Sequence, residues 1–510
     1  MSSGTRPRRL RGRGLVSPLV CWLALCTTEV LAGQCPDGTP PPCAGRAVHV
    51  AAPAPAANSV AVLYFDNLSR DTTDVFLANG LTEELITRLS QVRRLDVKSR
   101  FESLRFRGQP LTDPRALGRA VGAAYLVTGS LQKVGVRERV NVALVQTQTG
   151  RQVWGEVYER AGDILAAQAE IAREVAEAIT GRLLPEERAS LARMPTRDPV
   201  AYALYLRGLG AANTMSEAGL RAGLEYLDRA IDRDSGLADA YAQKAAIWED
   251  LSDGYVEGRE GYPQAREAAE QALSRDSSLA LAWAMLGGAV LSLDVDAPLA
   301  IRLSERALSL DPRSAWGHIA LAGGLLASGR TDDSVLAEFR RGWEADTLAA
   351  GPAWNYLGSL HYLHRDELLP AVAGRMRPVL SPEDERLFDG LARLARGDTS
   401  GAVRQLSWSY YGGAYAPEYV RGLLALGRSD AVAAVLDSMR RAAPRVYVNP
   451  YAFARCYAAL RNADSVYAWL DRAWDQRTAF MERLRTDAEF VPFRDDPRWA
   501  MLLRRMGLTP

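Results

Sequence analysis

Four aspartates set the pattern of this chain. Asp234, Asp276, Asp311 and Asp346 stand at intervals of 276 − 234 = 42, 311 − 276 = 35 and 346 − 311 = 35 residues. Each falls near the end of a similar octet: Asp228-Arg-Ala-Ile-Asp-Arg-Asp-Ser235, Glu270-Gln-Ala-Leu-Ser-Arg-Asp-Ser277, Glu305-Arg-Ala-Leu-Ser-Leu-Asp-Pro312 and Arg340-Arg-Gly-Trp-Glu-Ala-Asp-Thr347. A second marker keeps the same beat, since Tyr241, Trp283, Trp316 and Trp354 each open the helical stretch that follows. Self-similarity at this period is the signature of a stacked array, in which a pair of antiparallel helices has an apolar surface too wide for itself and neighbours must cover it. The longer first interval holds an insertion near 253–263, expected to be absorbed by a surface loop.

Trp283-Ala-Met-Leu-Gly287 and Trp354-Asn-Tyr-Leu-Gly358, with the closing Asp311-Pro312, resemble the tetratricopeptide (TPR) repeat. Small residues such as Gly287, Ala307 and Ala320 would let helices approach, and Trp283 and Trp316 would fill the space left, so these aromatics are expected in the core. Weaker repeats run from Gly390 to Ser409, Tyr419 to Met439 and Asn449 to Trp474, giving about eight helix pairs in all. The ending, Phe490-Val-Pro-Phe-Arg-Asp-Asp-Pro-Arg-Trp499 and Met501 to Met506, resembles the terminal cap of such arrays. The expected domains are therefore a repeat array over 198–479, an all-α superhelical solenoid, and capping helices over 480–510.

Residues 59–185 read differently. Ser59 to Phe65 is an apolar, β-rich run, and Leu95 to Ser99 a second strand. Between them, Phe76, Leu77, Leu81, Leu85, Ile86 and Leu89 line one helix face. Asp113-Pro114 starts a helix through Val121, three strands follow at 124–133, 138–147 and 151–159, and a last helix runs from Asp163 to Leu183 and stops at Pro185. The order β-α-β-α-β-β-β-α implies an α/β domain with one mixed sheet. Ser59 to Asn67, Asn79-Gly-Leu-Thr-Glu-Glu-Leu-Ile86 and Gly118 to Ser130 resemble the bacterial TolB-like amino-terminal domain, which precedes TPR arrays. That resemblance implies a docking module and supplies no catalytic residues. Glu83 and Glu84 are adjacent, hence about 100° apart on a helix, and read as a solvated face rather than an acid/base pair.

Ahead of these units, residues 6–13 are Arg-rich, Leu15 to Cys26 is apolar, and Val30-Leu31-Ala32 suits a signal peptidase. Residues 1–32 are expected to be a signal peptide cleaved after Ala32, which places the protein in the periplasm or cell envelope. The alternative is an inner-membrane anchor over 15–32, and with it proximity to the membrane. Residues 33–58 read as a Cys/Pro/Ala-rich tether, in which Cys35 and Cys43 would close a short disulfide loop in an oxidising compartment.

Composition narrows the chemistry. Against 62 Lys and Arg stand 61 Asp and Glu, a net charge of +1. Residues 1–32 carry five Arg and one Glu, +4, leaving 1 − 4 = −3 for the rest, without the basic balance of a nucleic-acid binder. Lysine occurs only at Lys98, Lys133 and Lys244, and four His and five Cys leave few ways to build a metal or triad site. His361 and His364 are three apart but lack a third ligand of suitable spacing. No cofactor or metal is expected, and the chain reads as a non-catalytic scaffold holding a protein or peptide in its repeat groove. The alternative is a small-ligand sensor or enzyme with a cleft in the α/β domain. Counted from the aromatic that opens each repeat, the groove should present Asp239, Ala242 and Glu249, then Leu281, Ala284 and Leu291, then Asn355, Ser359 and Tyr362, with Tyr362 the anchor.

Overall fold

The computed structural model describes residues 55–509 apart from 72–74, 91, 93, 99–102, 104–105, 109–112, 136, 162–163, 194, 348 and 408–414. The leader, the tether up to residue 54, and Cys35 and Cys43 lie outside the described residues.

Every residue of Ser59–Val62 (β1) is buried, as a strand covered on both faces must be. It lies between two parallel neighbours, Asp96–Val97 (β3) and Tyr125–Val134 (β4). The two-residue Asp66–Asn67 (β2) also pairs parallel with β4. From β4 the sheet continues antiparallel into Arg137–Gln146 (β5) and Arg151–Ala161 (β6), giving the order β3-β1-β4-β5-β6. Helices Val75–Ser90 (α1) and Ile164–Thr180 (α3) cover one face, where Leu77, Leu81, Leu85 and Leu89 meet Val127, Leu131, Val142, Ile171 and Val175. Helix Pro114–Val121 (α2), capped by Asp113, packs on the other through Val121 and Leu126. Gly118 lies so close to the sheet that a Cβ there would meet Thr147 Cβ at 2.3 Å.

The boundary at Pro185 needs correction. Proline fits the first helical turn, and Pro185 opens a further helix, Pro185–Ala192 (α4), instead of only ending one. Its Leu191 is buried in the core of the sheet domain, and Arg88 donates to the carbonyls of Leu191 (2.8 Å) and Arg193 (2.7 Å). Arg193 then reaches Asp276 (2.7 Å) and Asp239 (3.1 Å) in the array. Tyr202 donates to Gln168 at 2.9 Å across the same junction. Glu84, expected in solvent, sits in this junction against Arg88 at 2.7 Å, where burial raises its pKa.

Eight helix pairs follow among the described residues: Pro199–Ala212 (α5) with Glu217–Arg233 (α6), Ala238–Gly254 (α7) with Gly258–Arg275 (α8), Ala280–Asp294 (α9) with Ala297–Leu310 (α10), Ala315–Ala327 (α11) with Asp333–Ala345 (α12), Ala350–Tyr362 (α13) with Leu369–Met376 (α14), Pro382–Ala395 (α15) with Thr399–Leu406 (α16), Ala416–Ala425 (α17) with Ser429–Ala442 (α18), and Pro450–Ala459 (α19) with Ala463–Asp475 (α20). The repeated aspartates have one physical role. Asp234, Asp276 and Asp311 each end a helix in extended backbone and accept the N–H two residues on, all at 2.9 Å, while Asp346 accepts from Ala349 at 3.1 Å. These side-chain turns stop one helix and aim the next.

The insertion does not form a loop. It lengthens α7 and α8, Pro263 lies inside α8, and residues 255–257 make the short turn between them. The segment after α20 also differs from an end cap alone. Two 3₁₀ turns, Met481–Arg483 and Ala488–Phe493, precede the last helix, Pro497–Arg505 (α21). Met481, Leu484, Phe490 and Trp499 do finish the core of the last pairs. The first of these turns, however, rests on α9 and α11, and Arg259 donates its backbone N–H to the Gln476 carbonyl at 2.8 Å. The end of the array thus meets its own second to fourth pairs. Among the described residues no helix is long and apolar enough to cross a membrane.

Candidate functional site

A pocket of about 610 Å³ lies between α13, α15, α17, α19 and the segment after α20. Its apolar wall is Leu391, Leu394, Ala395 and Phe480, and Tyr362, Tyr415 and Tyr451 bring aromatic rings.

Charged side chains line the same pocket, His361, Asp366, Arg421, Arg455, Asp487 and Glu489 among them, and they meet around a buried carboxylate. Glu418, in the first turn of α17, is fully buried. Its Oε1 takes hydrogen bonds from Arg455 (2.7 Å) and Arg421 (3.2 Å), with His361 Nε2 at 3.4 Å. Burial would raise its pKa, but the charge of Arg455 and the His361 contact outweigh it and hold the carboxyl at about 2. His361 stands at the end of α13, its Nδ1 2.5 Å from Asp366 on the turn that follows. Burial would lower its pKa, yet the hydrogen bonds to Asp366 and Glu418 raise it to about 9. At neutral pH it is an imidazolium that donates on both sides. Asp487 accepts from Tyr451 at 2.9 Å and pairs with Arg455 at 3.2 Å, and Arg421 also pairs with Glu489. Four elements distant in sequence are held together by this network.

A smaller pocket of about 120 Å³ lies further along the inner face, where Glu249 and Asp253 of α7 and Trp316 of α11 face Phe480, Glu482 and Arg483. Burial raises the carboxyl of Glu249 well above the usual range and that of Asp253 to about 6. Glu249 Oε1 is buried and accepts no hydrogen bond.

The residues expected in the groove divide between these places and the core. Glu249, Leu291 and Asn355 line the smaller pocket and Tyr362 the larger. Ser359 is 3% exposed, its hydroxyl bonded to the Tyr356 carbonyl at 2.7 Å, and Ala242 and Ala284 are buried between helices. Asp239 is taken by Arg193. The inward rows are Met285, Gly288 and Ser292 on α9, and Asn355, Gly358 and Tyr362 on α13. Counting from the opening aromatic was thus one residue off at Ala284 and Ser359, and one residue turns a helix by about 100°. Tyr362 does not face open space: its hydroxyl donates to the Arg483 carbonyl (3.1 Å) and lies 2.5 Å from Thr486 Oγ1. His361 and His364 share no helix face, since α13 ends at Tyr362 and His364 is left-handed, φ 56°.

Sequence reasoning missed the network, although two signals were present. Glu418 and Arg455 each interrupt an otherwise apolar stretch, Ala416-Pro-Glu-Tyr-Val420 and Tyr451-Ala-Phe-Ala-Arg-Cys-Tyr457. A charge placed so is buried only with a partner. Neighbouring Cys456 is fully buried, and burial pushes its thiol pKa far up.

No protein-family model matches the chain. It is 32% identical over 243 residues to a protein of Rhizobium meliloti (strain 1021) described as putative adenylate cyclase 3, a match covering 45% of this chain and 41% of that protein. The chain thus spans about two fifths of the length of that relative. Among solved structures, PilF of Pseudomonas aeruginosa is 16% identical with a TM-score of 0.29, covering 41% of this chain and 90% of the other. YrrB, described as a TPR protein with an unusual peptide-binding site, is 21% identical with a TM-score of 0.23, covering 40% of this chain and 93% of its own. The MamA protein is 12% identical with a TM-score of 0.22, covering 39% and 94%. The repeats of this chain rest on the helix pairing seen in it.

Proposed function

We propose that the chain is a non-catalytic interaction scaffold whose TPR-like array binds a protein or peptide segment, with the TolB-like α/β domain as a docking module and residues 1–32 as its export leader. The observation that carries this reading is the pocket of about 610 Å³ on the array, walled by four helices, in which apolar and aromatic side chains stand beside charged ones. A volume of that size receives a few side chains of a bound segment. The charged groups around it are committed to one another. An imidazolium held to about pH 9 has no lone pair with which to take a proton at neutral pH, and the Cys456 thiol is out of reach. Such groups set the shape of a pocket rather than turn over a substrate.

The test is selection of a displayed peptide library on the full chain, in parallel with Ala395→Trp. Ala395 is exposed and lines the pocket, so an indole there fills the space without disturbing the core. The reading expects a peptide consensus that is lost with Ala395→Trp at unchanged melting temperature. Absence of any consensus, or conversion of ATP to cyclic AMP by the purified chain, would contradict it.

A further inference from the structure

The inner face of the first pairs is not left open. Gln476 Nε2 donates to Glu257 at 2.9 Å, and the Gln476 carbonyl accepts the Arg259 N–H at 2.8 Å. Gly258, between those two residues, lies so close that a Cβ would stand 1.9 Å from the Arg477 carbonyl oxygen. Further along, the turn Met481–Arg483 rests on α9 and α11, and Tyr362 of α13 binds Arg483 and Thr486. The lengthened α7 and α8 therefore have a use: their junction receives the end of the array.

The two sides are chemically complementary. The array contributes the carboxylate of Asp253, whose pKa burial raises and the charge of Arg483 lowers, the carboxyl of Glu249, which burial keeps protonated, and the rings of Trp316 and Tyr362. The turn contributes Phe480 and Arg483, whose guanidinium stands 4.7 Å from the Phe480 ring centre and 5.3 Å from that of Tyr362. Arg483 pairs with its neighbour Glu482 at 3.2 Å. Arg477 (φ 51°), directly after the C-cap Gln476 of α20, and Phe480 (φ 78°), just before the turn, are in left-handed backbone, which non-glycine residues adopt at a cost. The contact is thus made of a few hydrogen bonds set against local strain.

We infer that residues 476–487 are a latch: they close the array on its own second to fifth pairs and fill, with Phe480 and Arg483, a groove of carboxyl groups and aromatic rings that would otherwise receive a partner segment bearing an aromatic residue followed by a basic one. This rests on the scaffold reading, in that the groove is taken to bind a peptide. The partner competes by supplying the same ring and cation, and the latch sets how readily the groove opens.

The test uses the full chain and a labelled peptide with the sequence of residues 476–487. Phe480→Ala and Arg483→Gln, made in the full chain, each remove from the latch a group that fills the groove and leave the groove's own residues in place. The peptide is expected to bind either variant at least about tenfold tighter than the wild type. Peptides with Ala for Phe480 or Gln for Arg483 are expected to lose that gain. Equal binding to wild type and both variants, or equal binding of the altered peptides, would overturn the inference. A library consensus without a paired aromatic and basic residue would also overturn it, while leaving the scaffold reading standing.

Discussion

The first four helix pairs and the last four are built by different means. From α5 to α12 the array repeats one solution: an aspartate turn after each second helix, and small residues where helices cross. Gly342, for example, has no room for a Cβ, which would meet Ile319 at 2.9 Å and the Ala315 carbonyl at 3.0 Å. From α13 onward the aspartate marker is gone, helices shorten, and cohesion passes to aromatics and buried charges. Phe453 stacks on Trp469 at 4.0 Å, Trp354 meets Phe388 edge to face at 5.2 Å, and Glu418 ties α13, α17 and α19 together. Among the described residues, four of the six left-handed non-glycine residues, His364, Arg461, Arg477 and Phe480, also fall in this half. Regularity makes a stack, and departure from regularity makes pockets and a closure.

The sharpest way to break this contrast is to remove its central charge. Glu418→Ala leaves Arg455 and His361 buried without their shared carboxylate, and a loss of about 3–5 kcal/mol is expected in chemical denaturation. Leu326→Ala in α11, equally enclosed, should cost about 2–5 kcal/mol through its cavity alone. The two losses should differ in kind: hydrogen exchange should rise across α13, α17 and α19 in the first variant and around α10 to α12 in the second.

Next in size is a pH effect carried by His361. Its folded pKa of about 9 lies above the ordinary value of 6.5, so its contribution is complete below about 6.5 and is lost as pH rises through about 9. Asp250 and Asp253, raised by burial to about 8 and about 6, also lower stability as pH rises. The comparison with His361→Gln separates the two. Between pH 6 and pH 10 the wild type should lose on the order of 3 kcal/mol more than the variant. Parallel pH curves would remove His361 from the account.

The smallest effect concerns backbone. Arg461 is exposed, left-handed at φ 57°, and directly follows the C-cap Leu460 of α19, the position where glycine is favoured. Arg461→Gly should stabilise by about 1 kcal/mol, seen as a modest rise in melting temperature.

The same contrast explains what could be read from the chain. In the first half the repeated Asp and Trp positions are markers because each performs one job in every unit, so the pairs were legible there. The sheet domain was legible too, since β1 is apolar after Ser59 and Asp113-Pro114 is an unambiguous helix start. The turn after α20 was not. Its partners, Glu257 to Arg259 and Tyr362, lie more than 100 residues away, and no local periodicity encodes a contact of that range. Pro185 misled for a related reason: proline can end one helix or sit in the first turn of the next, where no backbone N–H is needed, and tertiary packing decides between them. The groove residues were half legible, because helix type followed from sequence but rotation about the helix axis did not.

The claim on which most depends is that the array closes on itself, and one amide reports it. Arg259 lies in the first turn of α8, where a backbone N–H has no acceptor within its own helix. Its bond at 2.8 Å goes to Gln476, more than 200 residues along the chain. Residue-resolved hydrogen exchange on the full chain should find the Arg259 amide protected, and find that protection lost in Gly258→Ala. Exchange of Arg259 in the wild type at the rate of an open helix end would contradict the closure.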